Sequence, residues 1–355
     1  MTRALVLVTG TGRSGTSTMS GILHHLGLYV PGPYLGANKS NPKGFYESRW
    51  AVEFHKRLTS AAGVDPFDSR PTAFDRVQRA VTPTMRAELV AFVREHAADH
   101  EQVVVKDPRS VWAQRLWKEA AAEVGLDCRY VSMLRHPAEV VGSRATHYAK
   151  QADEAQRRAY EIVSVARWVN NQLISERETR GEVRAFVGYV QLLEDWRPVL
   201  AELRDSLSLR FDAGVEERQP HPVDEFIDPD LRRSRVTWGD LDVPRDLQHV
   251  AQGVWESLGE LREARGTLAT ASAELDRLGA EYERSLAQAA AMAHDLITGA
   301  RIEGREEGAR QVRDARRARP QRDRPRPEDR RIRDVGGREL LGEAGRRAWG
   351  RFRPR

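Results

Sequence analysis

The residues most able to do chemistry are Gly10-Thr11-Gly12-Arg13-Ser14-Gly15-Thr16-Ser17. An apolar run from Ala4 to Val8 precedes them and a helix-like segment from Ser17 to Leu26 follows. Strand, glycine-rich loop and helix in that order aim backbone N–H groups and a helix N-terminus at an anion. Gly10 and Gly15 hold the two glycine positions of the pattern G-x-x-x-x-G-K-[ST], and Ser17 holds its final hydroxyl. Thr16 stands where the lysine belongs, so the usual cation for the β- and γ-phosphates of a nucleoside triphosphate is missing. Arg13 supplies a cation two residues before the second glycine. The pattern predicts an anion cradle not built to hydrolyse ATP, against the plain alternative of a ligand-free β–α turn.

Three further groups carry reactive side chains. Lys106-Asp107-Pro108-Arg109 ends the β-branched run Val103-Val104-Val105. Arg135-His136-Pro137 ends the apolar run from Cys128 to Leu134, and Ser143 follows in a helix-like segment from Ala138 to Tyr148. In an open parallel sheet, ligands bind beyond the carboxyl ends of the strands, where both groups stand. The loop from Asn38 to Ser48 places Phe45 and Tyr46 beside the carboxylate of Glu47, a composition suited to substrate contact or simply to a solvated loop.

The elements that must position these groups alternate between strand and helix. Helices are expected over Trp50–Leu58, Pro83–His96, Val111–Val124 and Ala152–Thr179, and a fourth strand over Val183–Val190. The alternation predicts an α/β fold, a P-loop-type parallel sheet flanked by helices. Residues 208–246 are proline-rich and irregular. Leu247, Val254, Leu261, Leu268, Leu275, Tyr282, Ala289 and Leu296 then recur every seven residues. This heptad-like pattern predicts a helical extension whose first half folds onto the body and which is able to self-associate, weakened by Gly253, Gly259, Gly266 and Gly279 at about 1 kcal/mol each. The expected organisation is a body over 1–260, the extension over 261–300 and an arginine-rich disordered tail over 301–355.

Composition narrows the class. Of 355 residues, 40% are hydrophobic and 31% charged, which suits a globular body joined to a polar segment. From Arg301 onward there are 19 arginines, no lysine and 10 acidic residues. That is a net +9 against +5 for the whole chain, leaving −4 on residues 1–300. The basic character belongs to the tail, where Leu340, Leu341, Trp349 and Phe352 among arginines suggest weak contact with an anionic membrane or an acidic partner. No aromatic platform or recognised module accompanies the charge, so no specific nucleic acid is expected. The single cysteine, Cys128, excludes an intrachain disulfide and a cysteine metal cluster. No apolar run of about 18 residues occurs, and the first core strand begins within five residues of the start. These features predict a cytoplasmic protein.

Taken together, the motifs resemble the sulfotransferases that use 3′-phosphoadenylyl sulfate (PAPS). Gly12-Arg13-Ser14-Gly15-Thr16-Ser17 is similar to their 5′-phosphosulfate loop in its arginine form, and Arg135 followed eight residues later by Ser143 is similar to their 3′-phosphate site. Lys106-Asp107-Pro108 resembles the strand-end motif of the tyrosylprotein branch, and Asn41-Pro42-Lys43-Gly44-Phe45-Tyr46-Glu47 resembles bacterial members. The resemblance covers residues 1–260 and implies PAPS as donor, a hydroxyl-bearing acceptor and no required metal. It implies that Gly12 to Ser17 hold the 5′-phosphate, that Arg13 and Lys106 stabilise the leaving group, and that Arg135 and Ser143 read the 3′-phosphate. The cytosolic branch has a histidine two residues after the strand-end lysine, where this chain has Pro108. The resemblance therefore points to Glu47 as general base, with Asp107 holding Lys106 or Arg109. Tyr189 matches the tyrosine placed against adenine, although Val190-Gln191 replaces the acidic pair that follows it in the family. His24, His25 and His136 are expected to be structural. The rival readings are a small-molecule kinase, which the missing lysine opposes, and a non-catalytic nucleotide-binding scaffold acting through its helix and tail.

Overall fold

A computed structural model describes residues 3–38, 41–148, 153–216, 219–228 and 235–318. The apolar runs form four parallel strands, β1 (Ala4–Thr9), β2 (Gln102–Lys106), β3 (Asp127–Leu134) and β4 (Arg184–Gly188), in the order β2-β1-β3-β4. Val8 lies opposite Lys106 and Val131, and Leu134 opposite Gly188, so the carboxyl ends of all four strands share one edge. A parallel pair needs a crossover, and here every crossover contains helix.

Helices cover both faces, which is why β1 is buried at every position and apolar without alternation from Ala4 to Val8. Leu5 and Leu7 pack into one core with Phe54, Trp112 and Trp117, while Val6 and Val8 pack into another with Met19, Ile22 and Leu23. The first core is walled by α2 (Arg49–Ala62), α3 (Ala73–Ala80), α4 (Pro83–Asp99) and α5 (Gln114–Glu123), and Cys128 packs against it. The second lies under α1 (Thr16–His25), α8 (Tyr189–Glu194), α9 (Trp196–Leu207) and α10 (Pro222–Phe226). A third core joins α6 (Pro137–Tyr148) and α7 (Glu154–Thr179) to α11 (Arg245–Glu263) and α12 (Ala269–Met292).

Several boundaries differ from the sequence expectation. The helix expected over Val111–Val124 is a 3₁₀ turn, Pro108–Trp112, followed by α5, because the Asp107 carboxylate caps the turn and Pro108 opens it. The strand expected to run to Val190 stops at Gly188, and Tyr189 begins α8. The irregular region 208–246 contains α10 and a 3₁₀ turn, Trp238–Asp240. The heptad segment is broken into α11, α12 and the start of a helix over His294–Ala318. The first break comes where Arg265 (φ 54°) and Gly266 (φ 93°) leave helical geometry, and an added Cβ at Gly266 would lie 2.6 Å from the Arg184 carbonyl oxygen. Its seam residues Val254, Leu261, Leu275 and Tyr282 are buried in the third core, whereas Leu296 is exposed.

The chain divides into two compact units, Met1–Ala287 and Gln288–Arg355. In the second, helix α13 (His294–Ala318) occupies positions where disorder was expected from Arg301. Alanine, glutamate, glutamine and arginine favour helix there, and no proline intervenes before Pro320. The amphipathic stretch Arg338–Arg353 lies outside the described residues. Among the described residues no helix is long and apolar enough to cross a membrane.

Candidate active site

The glycine-rich loop leaves β1 at Thr9 and enters α1 at Gly15, whose backbone is left-handed (φ +90°). A glycine cap has no side chain to satisfy the first-turn N–H groups, so these point to the cleft as helix geometry requires. Gly15 is also forced by packing: a Cβ there would lie 2.2 Å from Cδ2 of Tyr189. Arg13 adopts a left-handed φ of 77°, a strained state for an arginine, at the tip of the loop. Ser14 is buried, with its hydroxyl 2.6 Å from that of Thr11, and holds the loop's shape from within.

Lys106 and Glu47 meet beside this loop. The Lys106 ammonium donates to Ser17 Oγ at 2.9 Å, to the Phe45 carbonyl at 3.4 Å and to the Glu47 carboxylate. Both side chains of that ion pair are nearly inaccessible, at 2% and 7% exposure. Glu47 is held by its backbone, whose carbonyl accepts from Leu35 N at 3.0 Å, and by Tyr46 (φ 50°), whose carbonyl accepts from Ser20 Oγ. A cleft of about 170 Å³ is lined by Gly12, Arg13, Gly15, Thr16, Ser17, Glu47, Lys106, Arg135 and Tyr189, together with Thr18, Asn41, Pro42, Phe45 and Pro108.

A second group of polar contacts adjoins it. Arg135, at the end of β3, donates through Nη1 to the Arg13 carbonyl (3.0 Å) and through Nε to Glu139 Oε2 (3.0 Å). Its guanidinium lies 4.8 Å from the centre of the Tyr189 ring. Arg13 Nε donates to Ser143 Oγ at 3.1 Å. The residues expected from the sequence are thus brought together, in a different grouping. Lys106 stands with Ser17 and Glu47, while the Arg13 side chain stands with Ser143. Glu139 also lines a second cavity, of about 550 Å³, with His136, Arg235, Thr237 and Trp238. His136 bonds Gln252 and packs edge-on against Trp238 and Trp255.

Of the two partners expected for Asp107, Lys106 and Arg109, the carboxylate holds Arg109, and it also holds a residue the sequence reading missed, His55. Trp117 Nε1 donates to His55 Nε2 at 2.8 Å, which places the imidazole proton on Nδ1, 2.8 Å from Asp107 Oδ2. Asp107 Oδ1 accepts from Arg109 N and Nη1, each at 3.0 Å. Complete burial alone would raise this carboxyl, but the bonds from His55 and Arg109 outweigh it and hold it below its ordinary value. A depressed carboxylate stabilises the fold at pH values above its unfolded pKa, about 3.9, and that stability is lost as pH falls through the folded value. Urea unfolding should therefore show the wild type losing stability below about pH 4. Asp107→Asn should be less stable at pH 7 by about 1.5–3 kcal/mol and have a shallower acid dependence. An unchanged acid slope in the variant would contradict this role.

Two signals for the missed residues were present. His55 falls in phase with the apolar positions Ala51, Phe54 and Leu58 of α2, where a buried histidine needs a partner. Glu139 stands four residues after Arg135, a spacing that lets the two side chains meet.

Comparison with known proteins follows the same lines. The profile described as the sulfotransferase family matches residues 6–213. Among solved structures, the sulfotransferase domain from the Synechococcus PCC 7002 olefin synthase is 17% identical, with a TM-score of 0.40 over 73% of this chain and 95% of that one. The sulfotransferase domain from the curacin biosynthetic pathway is 15% identical, with a TM-score of 0.36 over 78% and 96%. No curated protein matches. The profile runs from within β1 to beyond α9, through every residue of the cleft, and takes in more than half of the sequence. On that match the chain belongs to the sulfotransferase family.

Proposed function

We propose that the protein transfers a sulfonate from PAPS to a hydroxyl of a small metabolite, glycan or glycolipid. The observation that carries this reading is the pairing of two cationic stations on one loop. Lys106 stands with Ser17 at the N-terminus of α1, and Arg13 and Arg135 converge on the loop tip and Ser143. A nucleoside triphosphate asks for one such station, whereas a donor phosphorylated at both 3′ and 5′ positions asks for two. The residues present fit that donor: uncapped first-turn amides, a glycine cradle and cations that match its anionic groups.

The bound donor supplies an activated sulfonate. Glu47 accepts the proton of the acceptor hydroxyl as that oxygen forms its bond to sulfur. Lys106 and the α1 amides offset the charge that develops on the phosphate oxygen as the old bond to sulfur breaks. Arg135, Arg13 and Ser143 hold the 3′-phosphate, and Tyr189 braces both Gly15 and Arg135. This chemistry asks no metal of the protein.

Calorimetric titration with 3′,5′-ADP, 5′-ADP and ATP, without magnesium, tests the donor. Selective tight binding of 3′,5′-ADP is expected; preference for ATP, or no binding, overturns the reading. Arg135→Ala should weaken 3′,5′-ADP by about 10- to 100-fold with little change for 5′-ADP. Equal weakening of both nucleotides would remove Arg135 from the 3′-phosphate station.

A further inference from the structure

This inference rests on the reading of Arg135 and Ser143 as the 3′-phosphate station. We propose that Glu139 is the positioning residue of that station: its buried carboxylate fixes the Arg135 guanidinium through which the protein selects 3′-phosphorylated nucleotide.

Glu139 and Ser143 lie four residues apart on one face of α6, and Arg135 stands two residues before that helix begins, within reach of the Glu139 carboxylate. Glu139 lies in the first turn of that helix, where the helix dipole favours a negative charge. The carboxylate takes the Arg135 Nε–H at 3.0 Å, and both residues are buried. The Arg13 carbonyl accepts a hydrogen bond from Nη1 at 3.0 Å, and the Tyr189 ring centre lies 4.8 Å from the guanidinium carbon. A planar fork anchored at two nitrogens and braced against a ring cannot turn about its Cδ–Nε bond. The guanidinium therefore keeps one orientation. An arginine without such anchors must be ordered by the ligand, and that ordering subtracts from affinity.

A carboxylate this near a phosphate station also repels the ligand, so electrostatics alone predicts that removing it tightens binding. Orientation predicts the opposite, and two substitutions separate the effects. Glu139→Gln keeps an acceptor for Arg135 Nε–H while removing the charge. Glu139→Leu removes both.

The measurement is the ratio of the 5′-ADP dissociation constant to that of 3′,5′-ADP, obtained by calorimetry on the full chain. Glu139→Leu should lower this ratio about tenfold through weaker 3′,5′-ADP binding, with 5′-ADP unaffected. Glu139→Gln should stay within about threefold of wild type. A ratio unchanged or raised in Glu139→Leu overturns the positioning role, as does a Glu139→Gln ratio that falls as far as the leucine variant's. Should Glu139→Leu not fold, Glu139→Ala makes the same comparison. A wild-type protein with no preference for 3′,5′-ADP overturns the 3′-phosphate reading of Arg135 and this inference with it. A wild type with the preference and variants without the loss overturns this inference alone.

Discussion

Glu47→Gln should lower turnover by about 10²- to 10⁴-fold while leaving 3′,5′-ADP affinity close to wild type, the range expected for loss of a general base. Glutamine keeps the shape of the side chain and an oxygen for the Lys106 ammonium, so the cleft should not rearrange. What it loses is the capacity to take a proton. The backbone that places Glu47 is unaffected, because the Leu35 bond to its carbonyl and the Ser20 bond to the Tyr46 carbonyl do not involve the side chain. Turnover by the variant is compared with wild type on any acceptor the wild type sulfates, alongside calorimetry. Unchanged turnover would remove Glu47 from proton transfer. Loss of nucleotide binding together with turnover would make its role structural.

Lys106→Met should have two separable consequences. Turnover should fall by about 10²- to 10³-fold, the cost of removing a preorganised electrostatic partner of the transition state. Stability should also fall, by about 3–5 kcal/mol, because the Glu47 carboxylate would be left buried without its partner. The double variant Lys106→Met/Glu47→Gln should regain much of that stability without regaining activity, since no charge is then stranded. Urea unfolding of the single and double variants, with turnover measured in parallel, makes the comparison. A double variant no more stable than Lys106→Met would show that the ion pair is not what the single change breaks. Full turnover by Lys106→Met would place the leaving-group cation elsewhere.

How the sites divide between these residues shows where sequence reading stops. The glycine-rich loop was legible because its constraint is local: a strand, a turn with left-handed backbone at Gly15, and a helix N-terminus follow one another within a dozen positions. The ends of β2 and β3 were legible for the same reason, since a β-branched or apolar run closing on charged residues marks a strand terminus. The grouping of those charges was not legible. Arg13 and Ser143 are 130 positions apart, and only the adjacency of β1 and β3 in the sheet makes them partners. Lys106 and Glu47 meet because β2 lies on the other side of β1 and α2 packs beside its end. The heptad pattern marks another limit. Its apolar period was real, but a stripe of leucines does not say which surface it will cover, and here α7 and the sheet cover most of it.

By itself, then, the sequence determined the parallel α/β class, the glycine-rich loop between β1 and α1, the strand ends that carry Lys106 and Arg135, and the family to which these motifs point. Those depend on period, propensity and turn chemistry within short windows. Only the tertiary structure decided that Arg13 joins Ser143, that Glu47 joins Lys106, that Asp107 is held by His55, and that Glu139 braces Arg135. The first three of these pairs span strands and helices distant in the chain, and their meeting is set by strand order and by which helix face each core buries. The fourth is local in sequence, yet its direction depends on the Arg13 carbonyl and the Tyr189 ring, which reach Arg135 only when β1, β3 and β4 lie side by side.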